Sequence, residues 1–366
     1  DDISSNENNK VSLIVDKDSY KKILSKRFPN IPIFFIEKNS NAFFQKLSIF
    51  FYIFFKINFF KKIFCRDFIE IEKKKFDIIF HPNWSLYSFG LNTFSVASVH
   101  DTAFNNKIYK QSLIHKIKLK FLVKLICKYS DVILCESEVG KNDIIKYFSV
   151  NPNKIVTRLN LPNKNFRELS NKPKELFDGN LQKLNHKKFL LLPSRWDQYK
   201  NQPRVILALE KYNKENKEEL LLVLTGVGDE IEKINRYLKE KNISNNNICI
   251  FESVTSEQLV KLYQNAYALI FPSLLGPTSL PIFEALENNC PIITSNLEGH
   301  IEVLGTAALY VDPLSEKSIY DSLKSLNKNV IKDLKTKMEK QRLLLTDSHE
   351  KKEWLRKAYS LFDSFK

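Results

Sequence analysis

The run ALIFPS (268–273) is followed at once by LLGPTSLPIFEAL (274–286). A short continuous apolar run bounded by turn residues reads as a strand buried on both faces. Gly276, Pro277, Thr278 and Ser279 supply the turn, and Pro281 suits the first turn of a helix. Glu284 then lies one turn inside that helix. Strand, polar turn and helix together make a βα element of a parallel sheet.

The same alternation runs outward in both directions. In the second half, strands are expected at 189–194, 219–226, 247–253, 290–295 and 308–312. Helices are expected at 203–213, 230–241, 256–266, 281–287 and 315–326. The first half repeats the pattern, with strands at 11–16, 31–37, 76–82, 94–101, 131–137 and 154–160 and helices at 108–129 and 138–148. Apolar strands alternating with helices predict α/β architecture: two doubly wound parallel-sheet domains facing a cleft. The expected division is an N-terminal domain over 1–162, a Lys-, Asn- and Pro-rich linker over 163–187 and a C-terminal domain over 188–346. A helix over 347–366 is expected to return to the first domain. In such sheets ligands bind outside the carboxyl ends of the strands.

The chain has 366 residues, 43% of them hydrophobic, and a formal net charge of +15. The size suits two globular domains. The five cysteines are scattered, without the spacing of a metal site, and suit free thiols in a reducing compartment. No metal and no bound cofactor are expected. The positive charge favours anionic partners, yet the lysines are dispersed and no nucleic-acid recognition motif is present, so nucleic acid is not an expected partner. Between Glu37 and Asp67 there is no acid, and residues 41–66 combine aromatics with lysines. Their longest uncharged run is too short to span a bilayer. They read either as a core helix with snorkelling lysines or as an interfacial helix on an anionic membrane. The expected location is the cytoplasm, with peripheral attachment at the inner face of the plasma membrane.

Four stretches carry candidate chemistry. In SRWDQYKNQ (194–202), Arg195 and Lys200 follow a strand end, where two cations can hold a diphosphate; alone they also read as solvated loop cations. In TGVGDE (225–230), Gly226 ends a strand and allows either close backbone approach or a plain turn. In the 276–284 stretch, amides of Thr278, Ser279 and Leu280 at a helix start favour an anion, and Glu284 can accept hydrogen bonds from vicinal hydroxyls. In SVHD (98–101), His100 and Asp101 end a first-domain strand, and Asp101 is placed to orient the imidazole.

Taken together these stretches resemble the retaining group 1 (family 4) glycosyltransferases of the GT-B fold. FPSLLGPTSLPIFEALENNCPIITS (271–295) is similar to that family's donor-site signature, and SRWDQYKNQ to its Arg-x-x-x-x-Lys pair. YSDVILCESEVGKNDIIKYF (129–148) resembles its A-D-x-I-x-x-V-S-E run, and SVHD its active-site His-Asp. The resemblance implies transfer of a sugar from a nucleotide-diphosphate sugar to a glycan or lipid-linked acceptor, with retention and without a metal, in surface-polysaccharide synthesis. It implies that Arg195 and Lys200 neutralise the leaving diphosphate. It implies also that Glu284 holds the ribose, that the amides of Thr278, Ser279 and Leu280 face phosphates and sugar, and that His100 touches the donor sugar.

Two departures stand out. The signature's first acid, eight residues before Glu284, is replaced by Gly276, as in a G-P-T-N-like subgroup. Nothing before Gly90, the first glycine of the chain, supplies the family's N-terminal glycine-rich loop. The first strand of the N-terminal domain is therefore expected to be missing or unusual. Both departures leave a second reading open: a catalytically impaired relative that binds a sugar or a partner.

Overall fold

The structure, a computed structural model, describes residues 13–15, 33–35, 73, 75–82, 93–108, 111–216, 219–226, 230–346, 356–357 and 360–362. Residues 41–66, Gly90 and most of the expected C-terminal helix lie outside these. The chain divides into two compact units, 1–97 with 128–131, and 98–127 with 132–366.

In the first unit, β1 (Leu13–Val15) pairs in parallel with β2 (Ile33–Phe35), Leu13 opposite Ile33. β3 (Ile78–His81) pairs in parallel with β4 (Phe94–Ser98), Ile78 opposite Phe94. All five positions of β4 are buried, as a strand covered on both faces requires. The Ser95 amide donates to Asp131 Oδ2 and the Asp131 amide to the Ser95 carbonyl, both at 2.8 Å.

The second unit opens with α1 (Leu113–Tyr129), β5 (Val132–Cys135), α2 (Glu138–Phe148) and β6 (Ile155–Thr157). β5 and β6 are parallel, with Ile133 opposite Ile155. Ser137 caps α2 by accepting the Gly140 amide at 2.9 Å. Next comes α3 (Lys164–Ser170), capped by Asn163. It lies in the stretch expected as a linker, and Phe166, Phe177, Leu181 and Leu184 from that stretch are buried in one core with Phe189 and Leu191. Its lysines and asparagines are the solvated part of a packed segment.

Six parallel strands then form the central sheet: β7 (Phe189–Pro193), β8 (Leu221–Thr225), β9 (Ile248–Phe251), β10 (Ala268–Phe271), β11 (Ile292–Ser295) and β12 (Leu309–Val311). Between them run α4 (Gln202–Glu215), α5 (Ile231–Glu240), α6 (Ser256–Asn265), α7 (Leu280–Glu287) and α8 (Glu298–Leu304). After β12 come α9 (Glu316–Ser325) and α10 (Lys328–Thr346). Phe189, Leu191, Leu269 and Phe271 pack on one face of the sheet with Tyr263, Phe283 and Met338. Leu190, Leu192, Leu222 and Ile270 pack on the other with Val205, Ile234 and Ile319.

The strand order is β12-β11-β10-β7-β8-β9. The chain enters at β7, winds outward through β8 and β9, then crosses back to β10 and winds the other way. The winding direction therefore reverses between β7 and β10. The carboxyl ends of these two strands are the topological switch point, the crevice where doubly wound sheets take their ligands.

Candidate active site

The loop after β7 is built tightly. Residues 198–200 form a single 3-10 turn, and Asn201 adopts a left-handed conformation, φ 67°. Its buried amide donates to the carbonyls of Pro272 at 2.9 Å and Pro313 at 2.7 Å. Gln202 donates to Ser194 Oγ at 2.9 Å and to the Arg195 carbonyl at 2.6 Å. The Leu274 amide donates to the Tyr199 carbonyl at 2.7 Å, which joins this loop to the one after β10. Lys200 projects from this frame, its ammonium 4.8 Å from the centre of the Phe271 ring and 5.0 Å from that of Tyr199. Burial pulls its pKa below the ordinary lysine value, against the opposing pull of Asp197 and Asp101. Arg195 is exposed.

The turn after β10 is shaped by two glycines. Gly276 has φ 120°, a conformation that side chains avoid, and a Cβ there would lie 3.2 Å from the Thr278 carbonyl oxygen. The signature acid missing from this position would be strained in this backbone. Gly299, at the start of α8, lies against the same turn: a Cβ on it would sit 1.7 Å from the Pro277 carbonyl oxygen. Ser279 precedes α7 without capping it through its side chain; Pro281 carries no N–H and the Ile282 amide donates to the Ser279 carbonyl at 3.0 Å, which leaves Leu280 as the first-turn amide without an intrahelical acceptor. Leu280 is exposed, and Thr278 is buried. Glu284 is buried and accepts the Tyr263 hydroxyl at 2.8 Å. Burial raises its pKa, and the Tyr263 hydrogen bond acts in the opposite direction. Removing its carboxylate would strand a fully buried tyrosine hydroxyl, at a cost of about 1–3 kcal/mol. Glu284→Gln, which keeps an acceptor for Tyr263, is therefore the cleaner probe of its charge.

His100 and Asp101 follow β4. Asp101 Oδ1 accepts the Ala103 amide at 2.9 Å, and burial raises its pKa, against the opposing pull of that amide and of His100. His100 Nδ1 meets Glu136 Oε1 at 2.9 Å. Glu136 is the first residue after β5, where the resembling run has Val. Its other oxygen, Oε2, accepts the Thr278 hydroxyl at 2.5 Å.

His300 is fully buried beneath the turn. Thr294 donates its only hydroxyl proton to the Phe271 carbonyl at 3.0 Å, so it accepts from His300 Nδ1 at 2.9 Å. Nε2 is then a bare acceptor, enclosed and without a partner among the described residues. Burial and the nearby charge of Lys200 lower the pKa of His300 to about 4, which keeps the ring neutral. The Glu302 carboxylate accepts the amides of Glu138 at 2.8 Å and Val139 at 3.0 Å, at the positive end of α2. Gly226 has φ 74°, and a Cβ on it would meet nothing within 4 Å. Among the described residues no group of His, Cys, Asp and Glu side chains is arranged to hold a metal ion.

Lys200, Thr278, Ser279, Glu284, His100 and Asp101 thus come together around the carboxyl ends of β7 and β10. Sequence reasoning missed Glu136, Gly299, His300 and Tyr263. An acid in place of Val was the visible signal for Glu136. The other three matter through packing and through partners distant along the chain.

The family described as glycosyl transferases group 1 matches residues 173–342. The O-antigen chain mannosyltransferase RfbU of Salmonella typhimurium is 28% identical over 222 residues, 60% of this chain and 57% of that protein. The O-antigen chain mannosyltransferase B of Escherichia coli is 26% identical over 203 residues, covering 54% and 52%. The chain thus spans a little over half the length of the curated relatives it matches. Among solved structures, Anabaena HepE in complex with UDP-glucose superposes with TM-score 0.68 at 11% identity, covering 99% of this chain and 93% of that one. A glycosyltransferase from Rickettsia africae superposes with TM-score 0.66 at 17% identity, covering 96% and 89%. The expected two-domain α/β fold is therefore the fold of these structures. The segment similar to the group 1 glycosyl transferases, residues 173–342, holds Lys200, Thr278, Ser279 and Glu284, while His100, Asp101 and Glu136 lie before it.

Proposed function

We propose that the chain transfers a sugar from a nucleotide-diphosphate sugar to a glycan or lipid-linked acceptor, with retention of configuration, in surface-polysaccharide assembly. The observation that carries this reading is Lys200, a cation fixed on aromatic faces at the β7–β10 crevice beside a helix-opening turn. Such a charge stabilises the negative charge that develops on a departing diphosphate. Arg195, exposed at the rim, supplies a second cation. The amides of Thr278, Ser279 and Leu280 meet phosphate and sugar oxygens. Glu284 accepts from the ribose hydroxyls, and His100 contacts the donor sugar; Gly226 shapes the rim beyond β8. None of these roles requires a metal ion. The names of the relatives, mannosyl- and N-acetylgalactosaminyltransferases of O-antigen and diphospho-undecaprenol substrates, support this class of donor and acceptor.

The test is incubation with a panel of nucleotide sugars and lipid-diphosphate acceptors, with the anomeric configuration of the product read by NMR. The expected product keeps the donor's configuration; an inverted product would contradict the retaining assignment. The loss of the signature acid at Gly276 keeps a second reading in view, a binding module. Saturable nucleotide binding without turnover across the panel would favour it.

Membrane contact belongs to the same proposal. The segment first suggested for it, 41–66, lies outside the described residues, but α1 offers a second surface. Leu113, Ile114, Ile117 and Phe121 are 73%, 67%, 59% and 53% exposed. They fall on one stripe of a helix that has lysines at 116, 118, 120, 124 and 128 and no acid. Apolar side chains among cations suit an anionic lipid surface. No helix of the described residues is long and apolar enough to cross a membrane. Sedimentation with phosphatidylglycerol vesicles is expected to capture the protein, and phosphatidylcholine vesicles to capture much less. Replacing Ile114, Ile117 and Phe121 with Ser should release it; undiminished capture of that variant would remove α1 from the account.

A further inference from the structure

We propose that Glu136 is the carboxylate that the turn at Gly276 lacks, a positioning residue that orients His100 and Thr278 for sugar transfer. This rests on the reading of the crevice as a sugar-transfer site.

The geometry is specific. Glu136 is 16% exposed, and both of its oxygens are engaged, Oε1 by His100 Nδ1 at 2.9 Å and Oε2 by Thr278 Oγ1 at 2.5 Å. The Asn160 amide adds a longer contact to Oε1 at 3.4 Å. An ionised carboxylate only accepts hydrogen bonds. The Nδ1 of His100 must therefore carry a proton. By the same argument the Thr278 hydroxyl must donate to Glu136, which turns its lone pairs outward. One carboxylate thus sets the hydrogen-bond polarity of two groups on opposite walls, one after β4 and one before α7.

The backbone explains why this acid comes from the end of β5. At Gly276, φ of 120° and the Thr278 carbonyl oxygen 3.2 Å from a Cβ would strain any side chain. Thr278, two residues on, brings the turn to a carboxylate on another strand end, 142 residues away in sequence.

Glu136→Gln is nearly isosteric and keeps one acceptor oxygen, but its amide nitrogen cannot accept from the second partner. If the oxygen serves His100, the Thr278 hydroxyl must turn; if it serves Thr278, the imidazole must change tautomer. The expected result is a fall in kcat of about 100-fold, with donor KM and nucleoside-diphosphate Kd within roughly threefold of wild type. The chain has only six histidines, so ¹⁵N-histidine NMR, assigned with His100→Asn, reads the ring directly. Wild type should show Nδ1 protonated, and Glu136→Gln should show a weakened Nδ1–H signature or a tautomer mixture.

Wild-type kcat in Glu136→Gln, or an unchanged His100 tautomer, would overturn the proposal. So would a parallel loss of melting temperature, nucleotide affinity and kcat, since Glu136 would then be a strut between strand ends. If the wild-type protein turns over no donor, the transfer reading fails alone. The tautomer measurement still decides whether Glu136 orients His100.

Discussion

Replacing Lys200 with Met should lower kcat by about 100- to 1,000-fold, the effect of removing one preorganised group that stabilises transition-state charge. The folded protein should be no less stable for the change. Lys200 is the cation that the fold grips, since its loop is pinned by Asn201 and its ammonium lies over the rings of Phe271 and Tyr199. Its pKa in the folded protein is lowered, with burial the largest cause. Between that lowered value and the ordinary lysine value the unfolded chain binds more protons, so stability rises with pH through the window. Below that window the charge costs folding free energy. Met fills the same space without the charge, so its melting temperature should equal or exceed that of wild type. The alkaline limb of transfer should likewise lie below the ordinary lysine range. A destabilised Lys200→Met variant that retains full activity would contradict both the role and its electrostatic basis.

Gly299→Ala should be the most damaging single methyl in the crevice. Its Cβ would fall 1.7 Å from the Pro277 carbonyl oxygen and 2.5 Å from the carbonyl carbon. Both are backbone atoms, so no side-chain rotation relieves the contact, and either α8 or the turn must move. Overpacking of this kind costs about 1–3 kcal/mol. Displacing Pro277 carries Thr278 away from Glu136 and shifts the amides that open α7. The expected variant folds with a lowered melting temperature and transfers sugar at a few per cent of the wild-type rate or less, since a misplacement of about 1 Å can cost 100-fold. A crystal structure should show the 276–279 turn displaced. Normal activity with an undisplaced turn would show that the close approach is not required.

Much of the fold was legible because buried parallel strands are written as continuous apolar runs. ALIF, FLLLP and VILC each became a strand within a residue or two of its expected ends. Helix α2 matched its expected bounds. Helices α8 and α10 were not foreseen. The first is short and contains Gly299. The second carries lysines at 328, 332, 335, 337 and 340, with Met338 as a fully buried anchor. The 163–187 stretch misled for the same reason, four apolar anchors among many polar residues. In the crevice, Lys200 and Thr278 could be read because strand ends place them there whatever their neighbours do. Glu284 was found too, but not its hydrogen bond to Tyr263, which makes a buried group of what read as an available acid. Glu136 escaped because its meaning depends on a turn far along the chain, and Gly299 because its reason is another residue's backbone.

The account turns on the β7–β10 crevice being a nucleotide-diphosphate site, and titration calorimetry with UDP and GDP measures that directly. Wild type should bind at least one of them saturably. Lys200→Met and Glu284→Gln, both folded, should bind it at least roughly 10-fold more weakly, the consequence of losing about 1.4 kcal/mol of interaction. No binding of either nucleotide by wild type, or undiminished binding by both variants, would contradict the central claim.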